Sequence, residues 1–132
     1  MTEADAEIDA RHAAWSEAIR RGDLDAALAM LVPDYVLWAG GAAPLVGRDA
    51  ARPLFAAAFA QFELDPGFEL EERLVSGDLA VDRGWDVQTL RPRAGGPAVT
   101  RRQRVLLVLR RSPSPDGSWQ YARGMSQPGP TP

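Results

Sequence analysis

The sequence predicts an α+β fold: a cone-shaped barrel in which three N-terminal helices lie on the concave face of a curved antiparallel sheet and enclose one largely apolar pocket. Three observations predict it. Apolar residues recur at helical spacing only in the first half of the chain, and from Pro66 onward the period drops to two. A continuously apolar stretch, Val105 to Leu109, reads as a strand buried on both faces. Helices followed by a run of strands is the α+β order.

Taken in order, residues 3 to 21 form a helix with Ile8, His12, Trp15 and Ile19 on one stripe, capped by Thr2 and stopped by Arg20-Arg21-Gly22. Asp23 caps a second helix, with Leu24, Ala27, Leu28 and Leu31 on one face, ending before Pro33. A short strand, Tyr35 to Ala39, leads into the loop Gly40-Gly41-Ala42-Ala43-Pro44. A third helix runs from Asp49 to Phe62 with Phe55, Phe59 and Phe62 on its stripe; Pro53 is tolerated near its first turn. Two strands then flank the hairpin turn Gly77-Asp78. A third strand covers Ala98 to Arg111, and a last one Trp119 to Ser126. Residues 1–127 read as one domain and 128–132 as a disordered Pro/Gly tail.

Composition narrows the chemistry. The chain has 132 residues, no Cys, no Lys and one His, with net charge −3. A thiolate nucleophile, a Schiff base, a phosphate-binding Lys loop and a Cys- or His-rich metal site are therefore absent from the options. No Gly-x-Gly-x-x-Gly or Gly-x-Ser-x-Gly motif occurs. The balanced charge gives no reason to expect nucleic acid or a membrane surface. A cytoplasmic protein without cofactor or metal is expected, working with carboxylates, one imidazole, Arg, Trp and Tyr.

The order of elements resembles the nuclear-transport-factor-2-like superfamily, especially its SnoaL-like and ketosteroid-isomerase-like members. The resemblance rests on Trp15, Gly22-Asp23, Leu31-Val32-Pro33-Asp34-Tyr35-Val36-Leu37, Gly47-Arg48-Asp49-Ala50, Ser76-Gly77-Asp78-Leu79-Ala80, Asp82-Arg83-Gly84-Trp85 and Asp116-Gly117-Ser118-Trp119. It implies the cone fold and resembles most the small stand-alone domains without an assigned function. Carried over residue by residue, the isomerase general base falls on Ala39 and the Tyr oxyanion donor on Trp15, and the strand of the second acid has no Asp or Glu. Steroid-isomerase proton shuttling by that constellation is therefore not expected.

The hairpin fixes a register in which Leu74 faces Val81, Glu72 faces Arg83, Leu70 faces Trp85 and Phe68 faces Val87, all on one side. That side is apolar apart from Glu72 and Arg83, so it is expected to line the pocket, with Arg73, Asp82, Glu71 and Glu69 outside. Glu72 and Arg83 then serve either as base and anion clamp or as a structural ion pair. His12 is the candidate general acid or base, or else a partly exposed helix residue. Trp15, Tyr35, Phe55, Phe59, Leu70 and Trp85 are the expected pocket lining, or simply core. The Arg101, Arg102, Arg104, Arg110 and Arg111 cluster reads as solvated strand ends. Trp38, Trp119 and Tyr121 are expected on the outer face, covered in a homodimer.

Two functions fit. One is a cofactor-independent enzyme of isomerase, cyclase, dehydratase or epoxide-hydrolase type, acting by proton transfer on a hydrophobic small molecule, with His12, Glu72 and Arg83 as its catalytic groups. The other is a non-catalytic small-molecule-binding or dimerisation module.

Overall fold

A computed structural model describes residues 2–129. Helix α1 spans Glu3–Arg21, with a reciprocal capping box between Thr2 and Asp5. Gly22 closes it at φ 67°, a left-handed conformation that glycine adopts without strain. Asp23 caps α2 (Leu24–Ala29) by accepting a hydrogen bond from the Ala26 N–H at 3.1 Å. Strand β1 (Leu31–Ala39) starts four residues earlier than expected, so Leu31 belongs to a strand and not to the second helix. After β2 (Leu45–Val46) comes α3 (Arg48–Gln61), and β3 (Phe62–Ser76) follows it without a loop. Strands β4 (Leu79–Pro92), β5 (Val99–Arg111) and β6 (Trp119–Pro128) complete the chain. Pro66 sits inside β3, where it costs no ladder bond to a further strand because β3 is a sheet edge.

The strands form one sheet in the order β2-β1-β6-β5-β4-β3. The run β3 to β6 is the expected antiparallel meander. The sheet as a whole is mixed, because β1 pairs with β6 in parallel. It is curved but not closed, with β2 and β3 as free edges, so the cone is an open one. Pro128 pairs with Gln103 as the last residue of β6. Of the expected Pro/Gly tail, residues 130–132 lie outside the described residues.

The helices cover the concave face. Ile8 and Ile19 of α1, Leu28 of α2, and Leu31, Leu109 and Trp119 of the sheet are buried together. Each such side chain contributes about 1.5–3 kcal/mol on removal from water. Trp119 is therefore core, not outer surface: its indole N–H donates to Glu7 of α1 at 3.1 Å, and its ring carries the Arg111 guanidinium 4.6 Å from its centroid.

One local feature decides which residues face the cavity. The β3/β4 pairing keeps the expected register next to the turn, with Leu74 opposite Val81 and Glu72 opposite Arg83. It then shifts by one residue at a bulge between Leu70 and Glu72. Beyond the bulge Leu70 faces Gly84, Glu69 faces Trp85 and Phe68 faces Asp86. Gly84 makes this possible. A Cβ there would lie 2.0 Å from the Glu69 carbonyl oxygen, so only glycine fits.

The sidedness is also opposite to the expectation. Arg73 and Asp82 point inward, with side chains 6% and 0% exposed, while Leu74 is 61% exposed on the convex side. Glu72 and Arg83 face each other as expected, with Arg83 Nε 2.9 Å from Glu72 Oε1, but they do so in solvent on the convex face.

Candidate functional site

The open side of the cone holds a cavity of about 280 Å³. Its aromatic wall comes from Trp15 of α1, Phe55 of α3, Tyr35 of β1 and Phe68 of β3. Trp15 packs edge-on against Phe55 and Tyr121, with ring centroids at 5.8 and 5.2 Å. Inward-facing positions of β4 and β5 supply the polar wall. Asp86 is opposite Gln103 and Gln88 opposite Arg101, and all four line the cavity.

At one pole is a buried polar chain. His12 comes inward from α1 at the position its helical stripe requires. Its Nε2 lies 2.6 Å from Asp82 Oδ2, and its Nδ1 lies 2.7 Å from the Tyr121 hydroxyl. Phe68 lies against the imidazole, with centroids 4.7 Å apart. Asp82 also accepts from Arg73, at 2.8 Å from Nε to Oδ1 and 3.0 Å from Nη2 to Oδ2. Arg73 in turn reaches α1, donating to Asp9 at 2.9 Å and to the Asp5 carbonyl at 3.1 Å.

These partners fix protonation. Burial pushes the Asp82 carboxyl up, but hydrogen bonds from His12 and Arg73 and the Arg73 charge outweigh it and hold Asp82 below the usual carboxylate range. An ionised Asp82 can only accept, so Nε2 of His12 carries a hydrogen. In the neutral imidazole Nδ1 then accepts the Tyr121 O–H. Burial raises the Tyr121 hydroxyl well above its ordinary value, so a resting phenolate is disfavoured.

The second pole is Asp86. Burial pushes its carboxyl up to about 6, only partly countered by a hydrogen bond from Gln88 Nε2 at 3.1 Å. Asp82 and Asp86 are four residues apart on one face of β4, so their Cα atoms are about 13 Å apart. Among the described residues no three His, Asp or Glu side chains converge as a metal site. No described helix is long and apolar enough to cross a membrane.

The expected site residues divide. His12, Trp15, Tyr35 and Phe55 line the cavity. Phe59 does not; it lies behind Phe55, at 6.5 Å between centroids. Leu70 is 43% exposed outside the lining. Trp85 lies on the convex face, where its indole donates to Glu71 and the Arg102 guanidinium stacks at 4.4 Å. Glu72 and Arg83 are on that face too, because the strand presents its opposite side to the helices. Tyr121, expected outside, lines the cavity. The sequence reading puts Asp82 and Arg73 on the solvent side and Arg101 at a solvated strand end, and gives Asp86 no role. The available signal was Gly84, since a glycine within a strand marks a bulge or close backbone approach.

A curved mixed sheet with three helices over an open, aromatic-walled cavity defines a nuclear-transport-factor-2-like cone protein. The SnoaL-like domain model matches residues 12–121, and the chain belongs to that family. A ketosteroid isomerase-like protein from Erwinia carotovora atroseptica is 30% identical, with 98% of this chain and 100% of that one covered, at a TM-score of 0.79. A conserved protein from Planctomyces limnophilus is 22% identical, with 96% and 98% covered, at 0.85. A provisionally assigned scytalone dehydratase from Novosphingobium aromaticivorans is 15% identical, with 96% and 84% covered, at 0.82. No curated protein matches.

Proposed function

We propose that this protein is an acid–base enzyme acting on a hydrophobic small molecule held in the cone cavity. The observation that carries the reading is that two proton-handling poles line one apolar cavity: Asp86 at one, and Tyr121 backed by His12, Asp82 and Arg73 at the other. A partly buried carboxyl with a pKa near 6 suits a general acid or base at neutral pH. The catalytic roles first given to Glu72 and Arg83 pass to Asp86 and Tyr121, which reach the cavity.

In the resting state the Tyr121 oxygen offers lone pairs to an acidified C–H of the substrate. As it takes that proton it passes its own to His12 Nδ1, and the ionised Asp82, held by Arg73, stabilises the imidazolium. Asp86 in its neutral form protonates a departing hydroxyl. Together these steps expel water and form a double bond, and the proton on His12 returns to Asp86 through solvent. With a carbonyl in place of the leaving group, the same two poles move a proton between carbons. The reading therefore covers chemistry of the isomerase, cyclase, dehydratase or epoxide-opening kind, with the chain's own groups as acid and base and, for epoxide opening, water as the nucleophile.

The alternative is a binding module, favoured by one observation: both imidazole nitrogens are already engaged within the protein. The test is NMR of water loss and deuterium exchange in a panel of one- and two-ring β-hydroxyketones and enones. Turnover of a panel member should fall about 10²–10⁴-fold in Asp86→Asn and in Tyr121→Phe. Binding without turnover supports the module instead, and turnover undiminished in both variants removes the assignment.

A further inference from the structure

The β5 arginines are not equivalent. Arg102 pairs with Glu69 at 2.8 Å, Arg110 with Asp34 at 2.7 Å and Arg111 with Glu7 at 2.9 Å. Arg101 alone of the β5 arginines lines the cavity, and among the described residues it has no carboxylate partner. Its place follows from the pleat. Positions 101, 103, 105, 107 and 109 pair with 88, 86, 84, 82 and 80 of β4, and that is the face that carries the buried Asp82 and Ala80. Arg101 therefore stands at the Asp86 end, across from the Gln88 amide and two residues from Gln103. The guanidinium remains exposed while its neighbours on the same wall turn into the cavity.

We propose that this end of the cavity is an anion subsite, so that the ligand class is an apolar ring or short chain bearing one carboxylate, with Arg101 as its specificity residue. The inference rests on the reading that this cavity is the ligand site. The ring lies against Trp15, Phe55 and Phe68, and the carboxylate takes the guanidinium fork, whose planar donors match its two oxygens. Gln88 and Gln103 offer amide donors beside it. Asp86 is the acid on this wall; burial pushes its pKa up to about 6, so below that pH its neutral form prevails and donates to an anion instead of repelling it. A guanidinium without a carboxylate partner at the exposed end of a largely apolar cavity also draws an anion in, charged end outermost.

The test is calorimetric binding, at pH 5 and low salt, where Asp86 is mostly neutral and an arylacetic acid mostly ionised, of three probes with one ring system: 2-naphthylacetate, 2-(2-naphthyl)ethanol and 2-(2-naphthyl)ethylamine. The acid should bind the wild-type protein about tenfold more tightly than the alcohol, in line with a charge-assisted hydrogen bond. The amine should bind more weakly than either. Arg101→Gln, a change at an exposed position, should bring the acid-to-alcohol ratio to within about twofold of one. Equal binding of acid and alcohol to the wild type, an undiminished ratio in Arg101→Gln, or the amine as tightest ligand overturns the anion subsite and leaves the cavity reading standing. Failure of all three probes to bind overturns both.

Discussion

Asp82 and Asp86 stand on one face of one strand, yet their surroundings drive them in opposite directions. Asp82 loses water to burial but gains three hydrogen bonds from cationic or imidazole donors, and stays ionised. Asp86 loses water and gains only the Gln88 amide, so its pKa rises to about 6. The difference in partners has a thermodynamic sign. A carboxyl with a raised folded-state pKa binds more protons folded than unfolded between its ordinary 3.8 and about 6. Stability therefore falls as pH rises through that window, and the cost of ionising a buried acid persists above it. Asp86→Asn removes that cost. The variant should be more stable than wild type at pH 8, by about 1–3 kcal/mol, with the difference fading below pH 4. Urea denaturation at the two pH values measures it. A variant less stable at pH 8 would mean that Asp86 is held by attractive contacts and is not a strained functional acid. A stabilising change that also abolishes turnover would be the signature of a site maintained at the expense of stability.

At the scale of the element, the β3–β4 hairpin sets the site. Its turn and near-turn register were legible, because Gly77-Asp78 permits only a short list of two-residue geometries. The bulge was not, because alternation of apolar and polar residues carries no mark of one inserted residue and its one sign is a lone glycine within a strand, Gly84. At it the consecutive Glu71 and Glu72 both fall on the convex side, and beyond it Phe68 and Asp86 turn inward. Helix α1 was read more fully: a capped stripe of Ile8, His12, Trp15 and Ile19 puts imidazole and indole over the cavity whatever the sheet does. Gly84 carries the bulge, since any Cβ there meets the Glu69 carbonyl at 2.0 Å, too close for a real contact. Gly84→Ala should cost about 2–4 kcal/mol, either by strain or by expelling the bulge and slipping the register. Thermal unfolding measures the loss. The single imidazole gives the second readout, since a slipped register takes Asp82 from His12 and shifts the one histidine signal in the NMR spectrum. A Gly84→Ala protein with unchanged melting temperature and unchanged His12 signal would show that the bulge imposes no such constraint.

The inverted face assignment makes sense only at the scale of the whole molecule. Hydrophobic alternation reports which side of a strand is kept from water, not what keeps it so. On β4 the more apolar side, with Val81 and Trp85, faces away from the helices, and the side with Asp82 and Asp86 faces the cavity. The convex face consequently leaves large apolar groups exposed: Trp38 at 49%, Leu74 at 61%, Leu79 at 48%, Leu106 at 39% and Met125 at 44%. Arg83, Leu106 and Met125 form one row across β4, β5 and β6. A row of that kind in the centre of a sheet face is the composition of an interface, apolar with Arg and Met and with ion pairs toward its edge. We infer a homodimer through the convex face, with Trp38 and Leu106, and not the buried Trp119 and Tyr121, as its aromatic and aliphatic anchors. An isologous contact brings each patch against its own copy, so a charge introduced near the centre is repeated and desolvated twice. Light scattering of the wild type at micromolar concentration should give twice the 14.3 kDa chain mass, and Leu106→Glu should give 14.3 kDa with its helix and sheet signal in circular dichroism retained. Leu106 points away from the core, so the substitution has no cavity of its own to create. A wild-type protein that scatters as a monomer, or a Leu106→Glu protein that remains a dimer, would place the contact elsewhere and leave the apolar side of β4 without a partner.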